Sequence, residues 1–122
     1  MRIDSRDETL PTRITSYGSG FVMLNGTRYA SSIIVRPNAP PLPWNAVQGC
    51  ELTIEHVVEL LACDPEILLL GTGRAQVFPP PDTLTLAFER GVGVEIMDTT
   101  AACRTFNLLA AEHRLVIAGL ML

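Results

Sequence analysis

Two short polar segments follow apolar, strand-like runs, at positions where binding chemistry is expected. Gly71-Thr72-Gly73 comes directly after Ile67–Leu70, and Asp98-Thr99 comes directly after the run 92–97. If these runs are parallel neighbours in one sheet, their carboxyl ends meet and form a crevice. Backbone amides at a helix start, together with Arg74, would bind a carboxylate or phosphate there. The carboxylate of the second segment is the one candidate general base in this crevice.

The same segments also have purely structural interpretations. A dinucleotide-binding fingerprint would need a third glycine where Gln76 stands, so a nucleotide site is not favoured. Gly71 and Gly73 would then serve a turn or the close approach of another backbone. Asp98 or Thr99 would act only as the cap of the helix that follows. Both interpretations remain open at the level of the sequence.

A second set of polar residues shares one face of a predicted helix over 99–114. Residues at offsets of zero, three, seven and ten lie on the same side of a helix, and here they are Arg104, Asn107, Ala111 and Arg114. Arginines on both sides of an asparagine would engage a carboxylate-bearing partner. The alternative is a plain solvated face.

Conventional catalytic and metal-binding arrangements are not predicted. Glu55, His56 and Glu59 lie within about one helical turn, but His113 is far along the chain, so we expect solvent exposure and no metal site. Ser19 lacks the spacing of a nucleophile elbow. We therefore predict no catalytic residue, no metal and no cofactor.

Composition excludes several classes of function. All nine basic residues of the 122 are arginine, which excludes a lysine Schiff base and a phosphate-loop lysine. The arginines are dispersed and the net charge is -4, so nucleic-acid binding is not expected. Because 48% of the residues are apolar and only 18% are charged, we predict a packed domain and no disordered chain.

The cysteines and the first residues bear on localisation. Cys50, Cys63 and Cys103 form an odd set without zinc-site spacing, so we expect buried free thiols in a reducing compartment. Residues 1–11 lack the apolar region of a secretory signal and are expected to be a flexible segment before one domain over 12–122. The longest apolar run, Leu115–Leu122, is short of the roughly 20 residues that span a bilayer. A soluble, cytoplasmic protein without membrane insertion is expected.

The first half of the chain predicts antiparallel strands. A strand over 13–17 precedes a flexible Gly18-Ser19-Gly20, and Asn25-Gly26 follows the strand Phe21–Leu24. Asn-Gly is typical of a type I′ hairpin, and the run after it extends to Val35. Four prolines within 37–43 predict an irregular connection. Trp44 is expected to pack over an edge of the core.

The second half predicts alternating helices and strands. The expected elements are a helix from Thr53 to the stop at Asp64-Pro65, a buried strand over 67–70, a helix from Asp82 through Arg90, a buried strand over 92–97, a helix over 99–114 and a strand over 115–120. Such alternation predicts an α/β fold with parallel strands, preceded by the antiparallel hairpin.

Three segments and one further arginine resemble a known family: Leu70–Gly73, Gly91–Thr99, Ala102–Glu112 and Arg114. The similarity is to the family of mitochondrial complex I assembly factor three and its bacterial and archaeal relatives. It runs from about Ile14 to the end of the chain. Asp98-Thr99 and Arg104–Asn107 are its most specific parts.

The resemblance implies a single α/β domain of three layers, with a small central mixed sheet, flanking helices and an additional N-terminal antiparallel β layer. For the mitochondrial members it implies assembly of NADH:ubiquinone oxidoreductase through protein contacts. It also marks the residues that match the family motifs as a site: Gly71, Thr72, Gly73, Asp98 and Thr99 in the crevice, and Arg104, Thr105, Asn107 and Arg114 on an interaction stripe.

Two hypotheses from different classes follow. The first is a non-catalytic assembly or accessory factor that binds a protein partner, or a second copy of itself, through an apolar surface and the interaction stripe. The second is a small-molecule, anion-binding protein or enzyme that uses the crevice. Loss of partner capture by Arg104→Ala would favour the first, and ligand-dependent thermal stabilisation would favour the second.

Overall fold

The computed structural model describes residues 11–122. The strands in this part of the chain are β1 (Ile14–Gly18), β2 (Phe21–Leu24), β3 (Thr27–Tyr29), β4 (Ile33–Arg36), β5 (Ala39–Pro43), β6 (Ile67–Thr72), β7 (Gly93–Met97) and β8 (Val116–Met121). The α-helices are α1 (Ile54–Leu61), α2 (Thr85–Glu89) and α3 (Thr99–Ala111), and short 3-10 turns span Gly49–Glu51 and Pro81–Leu84. Apart from Pro11, the segment expected to be flexible, 1–11, lies outside the described residues.

The strands form two sheets. β1, β2 and β3 make an antiparallel sheet, and the larger sheet has the order β5-β4-β8-β6-β7. Within it β6 runs parallel to β7 and β8, while β4 is antiparallel to β5 and β8. Its side chains alternate between two cores: one lies beneath α1 and α2, and the other beneath α3 and the three-stranded sheet. The predicted α/β fold of three layers with an added antiparallel layer is confirmed.

The central strand of the larger sheet is β8. All six of its residues are buried, which explains its uninterrupted apolar sequence. Trp44 packs over this strand: a Cβ atom at Gly119 would lie only 2.7 Å from the indole ring. The expectation that Trp44 covers an edge of the core is therefore wrong, because the glycine leaves room for the ring at the centre of the sheet.

The predicted hairpin is confirmed. Asn25 and Gly26 both have positive φ, at 48° and 88°, and Leu24 pairs with Thr27 across a two-residue turn. The apolar run beyond the turn does not continue as one strand to Val35. It divides after β3, so that β4 pairs with β8 in the other sheet.

Two expectations about sheet edges are wrong. The proline-rich segment was expected to be irregular, but it forms β5, because prolines fit an edge strand that has no neighbour on one side. The run 92–97 was expected to be buried, but β7 is the opposite edge, and Gly93 and Glu95 are exposed. In sequence, β5 resembles a loop and β7 resembles an inner strand. The position of a strand in the sheet depends on pairing with distant segments, which the local sequence does not show.

The helix boundaries are confirmed in part. Thr53 caps α1 as predicted. Asp82 does not begin an α-helix: it lies in the 3-10 turn that starts at Pro81, and α2 starts three residues later. α3 ends at Ala111 and not at residue 114, because the chain turns at His113 with a φ of 63°.

Among residues 11–122, no helix combines the length and apolar character that a membrane crossing requires. The expectation of buried thiols holds for Cys103 alone. Cys63 is partly exposed and Cys50 is exposed, because the 3-10 turn that carries Cys50 lies on the surface.

Candidate functional site

The predicted crevice forms where β6 and β7 end. The two strands are parallel neighbours, and Gly71 pairs with Met97 on one side and Leu120 on the other. The turn after β6 therefore lies beside the start of α3, as the sequence predicted.

Thr99 forms hydrogen bonds to both the turn after β6 and the end of β8. Its hydroxyl accepts a hydrogen bond from the Gly73 N–H at 2.8 Å and donates to the Met121 carbonyl at 2.7 Å, while its own N–H donates to the Gly73 carbonyl at 2.8 Å. The turn after β6, the first residue of α3 and the end of β8 are thus held by one side chain. Since the single donor of the hydroxyl and one of its two acceptor lone pairs are in use, the side chain holds this junction together.

Gly71 and Thr72 also serve the turn. A Cβ atom at Gly71 would lie 2.9 Å from Leu120 Cδ2 and 3.1 Å from Ala102 Cβ, so α3 approaches β6 closely only because a glycine is present. The buried Thr72 hydroxyl lies 2.6 Å from the Ala75 carbonyl and accepts from the Val77 N–H at 3.0 Å. Neither residue faces the cavity described below.

Asp98 is the N-cap of α3. Its Oδ1 accepts a hydrogen bond from the Ala101 N–H at 2.8 Å, and its negative charge stabilises the positive end of the helix dipole. A carboxylate in this position opposes a second anion, and two of the first three amides of the helix are already bonded, to Gly73 and to Asp98 itself. Asp98 therefore has a structural contact as the cap of α3, made through one of its two carboxylate oxygens.

A cavity of about 400 Å³ opens beside this junction. Its walls come from the β1–β2 turn, the turn after β6, the start of α3 and the end of the described chain: Tyr17, Gly18, Ser19, Gly20, Gly73, Arg74, Thr99, Thr100, Met121 and Leu122. Gly73, Arg74 and Thr99 were predicted from the sequence, whereas Gly71, Thr72 and Asp98 lie outside the lining. The β1–β2 turn was missed as a wall because no local signal shows which distant turn closes a crevice.

The interaction stripe does not form a continuous surface. Asn107 is used internally: its Oδ1 accepts from the Ile14 N–H at 2.9 Å and its Nδ2 donates to the Ile14 carbonyl at 2.8 Å. Arg114 lies beyond the end of α3 and pairs with Glu66 at 2.9 Å. Arg104 is exposed on α3, and Thr105 is half-buried beside β7. The helix-face prediction fails for Arg114, because α3 ends before it.

Asn107 and Arg114 instead border another cavity, of about 330 Å³. Arg13 and His113 also line it, so its lining includes three basic residues. The pairing of Arg114 with Glu66 lowers the pKa of that carboxyl, through the hydrogen bond from the guanidinium and a second bond from the Leu115 N–H.

The polar group on α1 has a structural role. His56 Nδ1 accepts from the Thr53 N–H at 3.0 Å, and the Thr53 hydroxyl accepts from the His56 N–H at 3.3 Å. This reciprocal capping occupies Nδ1 of the imidazole. In the part of the chain that the structure describes, no three histidine, cysteine, aspartate or glutamate side chains are grouped to hold a metal ion.

Cys103 has the most strongly perturbed side chain of the described cysteines. Burial on the inner face of α3 raises the pKa of its thiol to about 12, so the thiol stays protonated at neutral pH. A nucleophilic role would require the thiolate, and burial disfavours it here.

With this geometry in view, comparison with known proteins identifies the family. A family described as "Protein of unknown function (DUF498/DUF598)" matches residues 14–121. The chain belongs to this family.

A curated member gives a functional context. The chain is 34% identical over 110 residues to NADH dehydrogenase [ubiquinone] 1 alpha subcomplex assembly factor 3 of Xenopus tropicalis. This alignment takes in 88% of the chain and 60% of the frog protein, so the chain corresponds to less than two thirds of that relative's length. The resemblance found in the sequence motifs is confirmed.

Solved structures of other members share the fold. A crystal structure of a Bordetella parapertussis protein has a TM-score of 0.88 and 36% identity, over 93% of this chain and 97% of that one. A Bartonella henselae protein, described as an outer membrane protein, has a TM-score of 0.78 and 30% identity, over 91% of this chain and 94% of that one.

Proposed function

We propose that the protein is a non-catalytic assembly or accessory factor that acts by binding a protein partner. Its similarity to assembly factor 3 over 88% of the chain supports this class of function. The hydrogen-bond pattern around Asp98 and Thr99 also favours it, because the polar residues that could have formed a reactive site are used to hold the fold.

The observation that carries the proposal is a pair of exposed phenylalanines in the connection from β6 to β7. Phe78 is 67% exposed and Phe88, on α2, is 60% exposed. On α1, which packs against the turn leading into α2, Ile54 and Val58 are exposed one helical turn apart. Exposed apolar patches frequently mark protein interfaces, and aromatic side chains are frequent anchors of such interfaces.

The test is capture of partners by the tagged full chain from its own cells. The double variant Phe78→Ser, Phe88→Ser is expected to lose a stoichiometric protein partner. Leu115→Ser is the matched control, because Leu115 is 58% exposed but lines the cavity bordered by Asn107, to which neither phenylalanine contributes. Retention of the partner by the double variant, or absence of any stoichiometric partner from the wild-type capture, would contradict the proposal.

Arg104 is the part of the interaction stripe that stays available for such a partner. Its guanidinium forms no ion pair among residues 11–122, so Arg104→Ala is expected to weaken capture and leave the melting temperature nearly unchanged. Unchanged capture would remove Arg104 from the binding surface. Measurement of mass in solution distinguishes a separate partner from a second copy of the chain.

The cavity at the end of β6 supports a second candidate, binding of a small anion. Arg74 and Thr100 line it with Tyr17 and Ser19, so a cation and several hydroxyls face about 400 Å³ of space. A carboxylate or phosphate bound there would raise the melting temperature, and above its Kd the rise would grow with the logarithm of its concentration. Arg74→Gln should abolish that rise, and a screen of phosphates, carboxylates and nucleotides without any rise would reject the site.

We further propose a cytoplasmic location, supported by three cysteines that form no disulfide among the described residues. Cell fractionation with antibody detection tests this directly. Recovery with outer membranes would contradict it.

A further inference from the structure

The larger sheet has one blocked edge and one open edge. β5 contains Pro40, Pro41 and Pro43, which cannot donate hydrogen bonds, and the Arg36 guanidinium binds the Pro40 carbonyl. Prolines of this kind prevent pairing with another strand. β7 at the opposite edge contains no proline, so its outer side can accept a further strand.

One hydrogen bond shows which residues of β7 point their backbone N–H and C=O groups towards β6 and which point them outward. The Gly93 N–H donates to the Glu66 carbonyl, which turns the amide and carbonyl of Gly93 towards β6. Successive residues of a strand point these groups to opposite sides, so Glu95 also bonds inward, while Val94 and Ile96 point outward. The Gln76 side chain donates to the Ile96 carbonyl at 2.8 Å, where it takes the place that a neighbouring strand would occupy.

A groove beside this edge has apolar walls and one carboxylate. It measures about 400 Å³ and lies between β7 and α3, with apolar walls from Ile67, Met97 and Leu109. The side chain of Glu95 lies in its lining and is exposed. An added strand would therefore place apolar side chains in the groove and one side chain opposite a carboxylate.

We propose that the open edge of β7 binds an extended segment of a partner protein that carries a lysine or arginine opposite Glu95 and apolar residues on either side of it. The inference rests on the proposed function, since the segment belongs to the partner, and it adds a docking edge to the exposed phenylalanines. Main-chain bonds to the amide and carbonyl of Val94 and to the Ile96 N–H would supply affinity, with the Gln76 side chain giving way at the Ile96 carbonyl, and the groove with its carboxylate would supply specificity.

Charge complementarity selects this occupant over a second copy of the chain. Two copies that paired antiparallel through Val94 and Ile96 would place the two Glu95 carboxylates directly opposite each other. Like charges in that position destabilise a strand pair. A basic residue in the incoming strand would instead form a favourable cross-strand pair with Glu95.

The experiment uses a blocked peptide, Thr-Val-Thr-Lys-Thr-Val-Thr, added to the full chain and followed by amide hydrogen exchange. The amides of Val94 and Ile96 are expected to slow by about tenfold or more, because they acquire main-chain partners. The amides of Gly93 and Glu95, which already bond to β6, should not change. The proposal would be overturned if all four amides were protected equally, or if the amides of Val94 and Ile96 were not protected at all.

A charge swap controls for unspecific binding. The peptide with glutamate in place of lysine should not protect the wild-type edge, whereas it should protect the edge of Glu95→Lys. Identical binding of both peptides by both proteins would overturn the assignment of Glu95. If partner capture requires Phe78 and Phe88 but Glu95→Lys does not alter it, the proposed function stands and the docking edge is wrong.

Discussion

Thr99 shows how a residue that resembles a ligand-binding group can serve the fold. It stands at the start of a helix beside a glycine-rich turn, which in sequence is equally typical of an anion site and of a junction. The structure uses its hydroxyl twice, towards Gly73 and Met121. The sequence could place Thr99 in the crevice but could not show that its hydroxyl donates its one proton to a backbone carbonyl and already accepts a backbone N–H.

Removal of that hydroxyl tests the structural role. Thr99→Val leaves the Gly73 N–H and the Met121 carbonyl without their partner, so we expect a loss of about 2 kcal/mol in the free energy of unfolding. Urea unfolding measures it. Thr100→Val, at the exposed neighbouring position, is the control and should change stability little. Equal stability of the two variants would show that the bonds of Thr99 contribute nothing net.

The Glu66–Arg114 pair should make the stability of the protein depend on pH. The guanidinium lowers the pKa of Glu66 below its ordinary value of 4.5, so the pair contributes stability above that pH and loses it as pH falls through the lowered pKa. In Arg114→Gln the pKa of Glu66 should rise, and NMR titration of the carboxyl measures it. Arg104→Gln should leave this pKa unchanged. A Glu66 pKa that is the same in wild type and Arg114→Gln would refute the pairing in solution.

At the scale of elements, local chemistry predicted most helices and strands. The Asn25-Gly26 turn and the Thr53 cap could be found because their signals lie within a few residues. β5 and the edge position of β7 were missed, because proline content and apolar runs do not show which strand neighbours which. The division after β3 was missed for the same reason.

Asn107 joins two elements that are 93 residues apart in the chain. It binds both backbone groups of Ile14 and so fixes α3 to β1. Asn107→Ala should cost about 2 kcal/mol in the free energy of unfolding, since a backbone N–H and a carbonyl lose their partners. Arg104→Ala on the same helix is the control, and thermal unfolding compares the two. If Asn107→Ala is as stable as this control, the three-stranded sheet is held by packing alone.

The whole molecule depends on close packing at the centre of the larger sheet. A valine at Gly119 would place its Cβ against the Trp44 ring, so Gly119→Val should destabilise the fold by about 2 kcal/mol or more. Gly93→Ala is the matched glycine substitution at the sheet edge, where the nearest atoms are 3.9 Å away, and it should be tolerated. Calorimetry measures both. Equal melting temperatures would mean that Trp44 moves aside without cost.

The architecture as a whole could be anticipated only through the alternation of elements and the family motifs. Periodicity predicted parallel strands after a hairpin, but it could not predict that β8 lies between β4 and β6, because all inner strands share the same apolar pattern. The cavity wall from the β1–β2 turn depends on that same arrangement. Long-range order of this kind is decided by the sum of packing contacts and has no local signature.

The position of β8 has a consequence for how the protein is made. A ribosome synthesises β4 and β6 well before β8. In the folded sheet β8 lies between them, so one edge of each strand has no partner until β8 is made. Until Val116–Met121 has emerged, the nascent chain holds two apolar strands with open edges in water. Such exposed edges invite misassembly. A chaperone that shields nascent chains should therefore have its greatest effect on yield just before these six residues leave the ribosome.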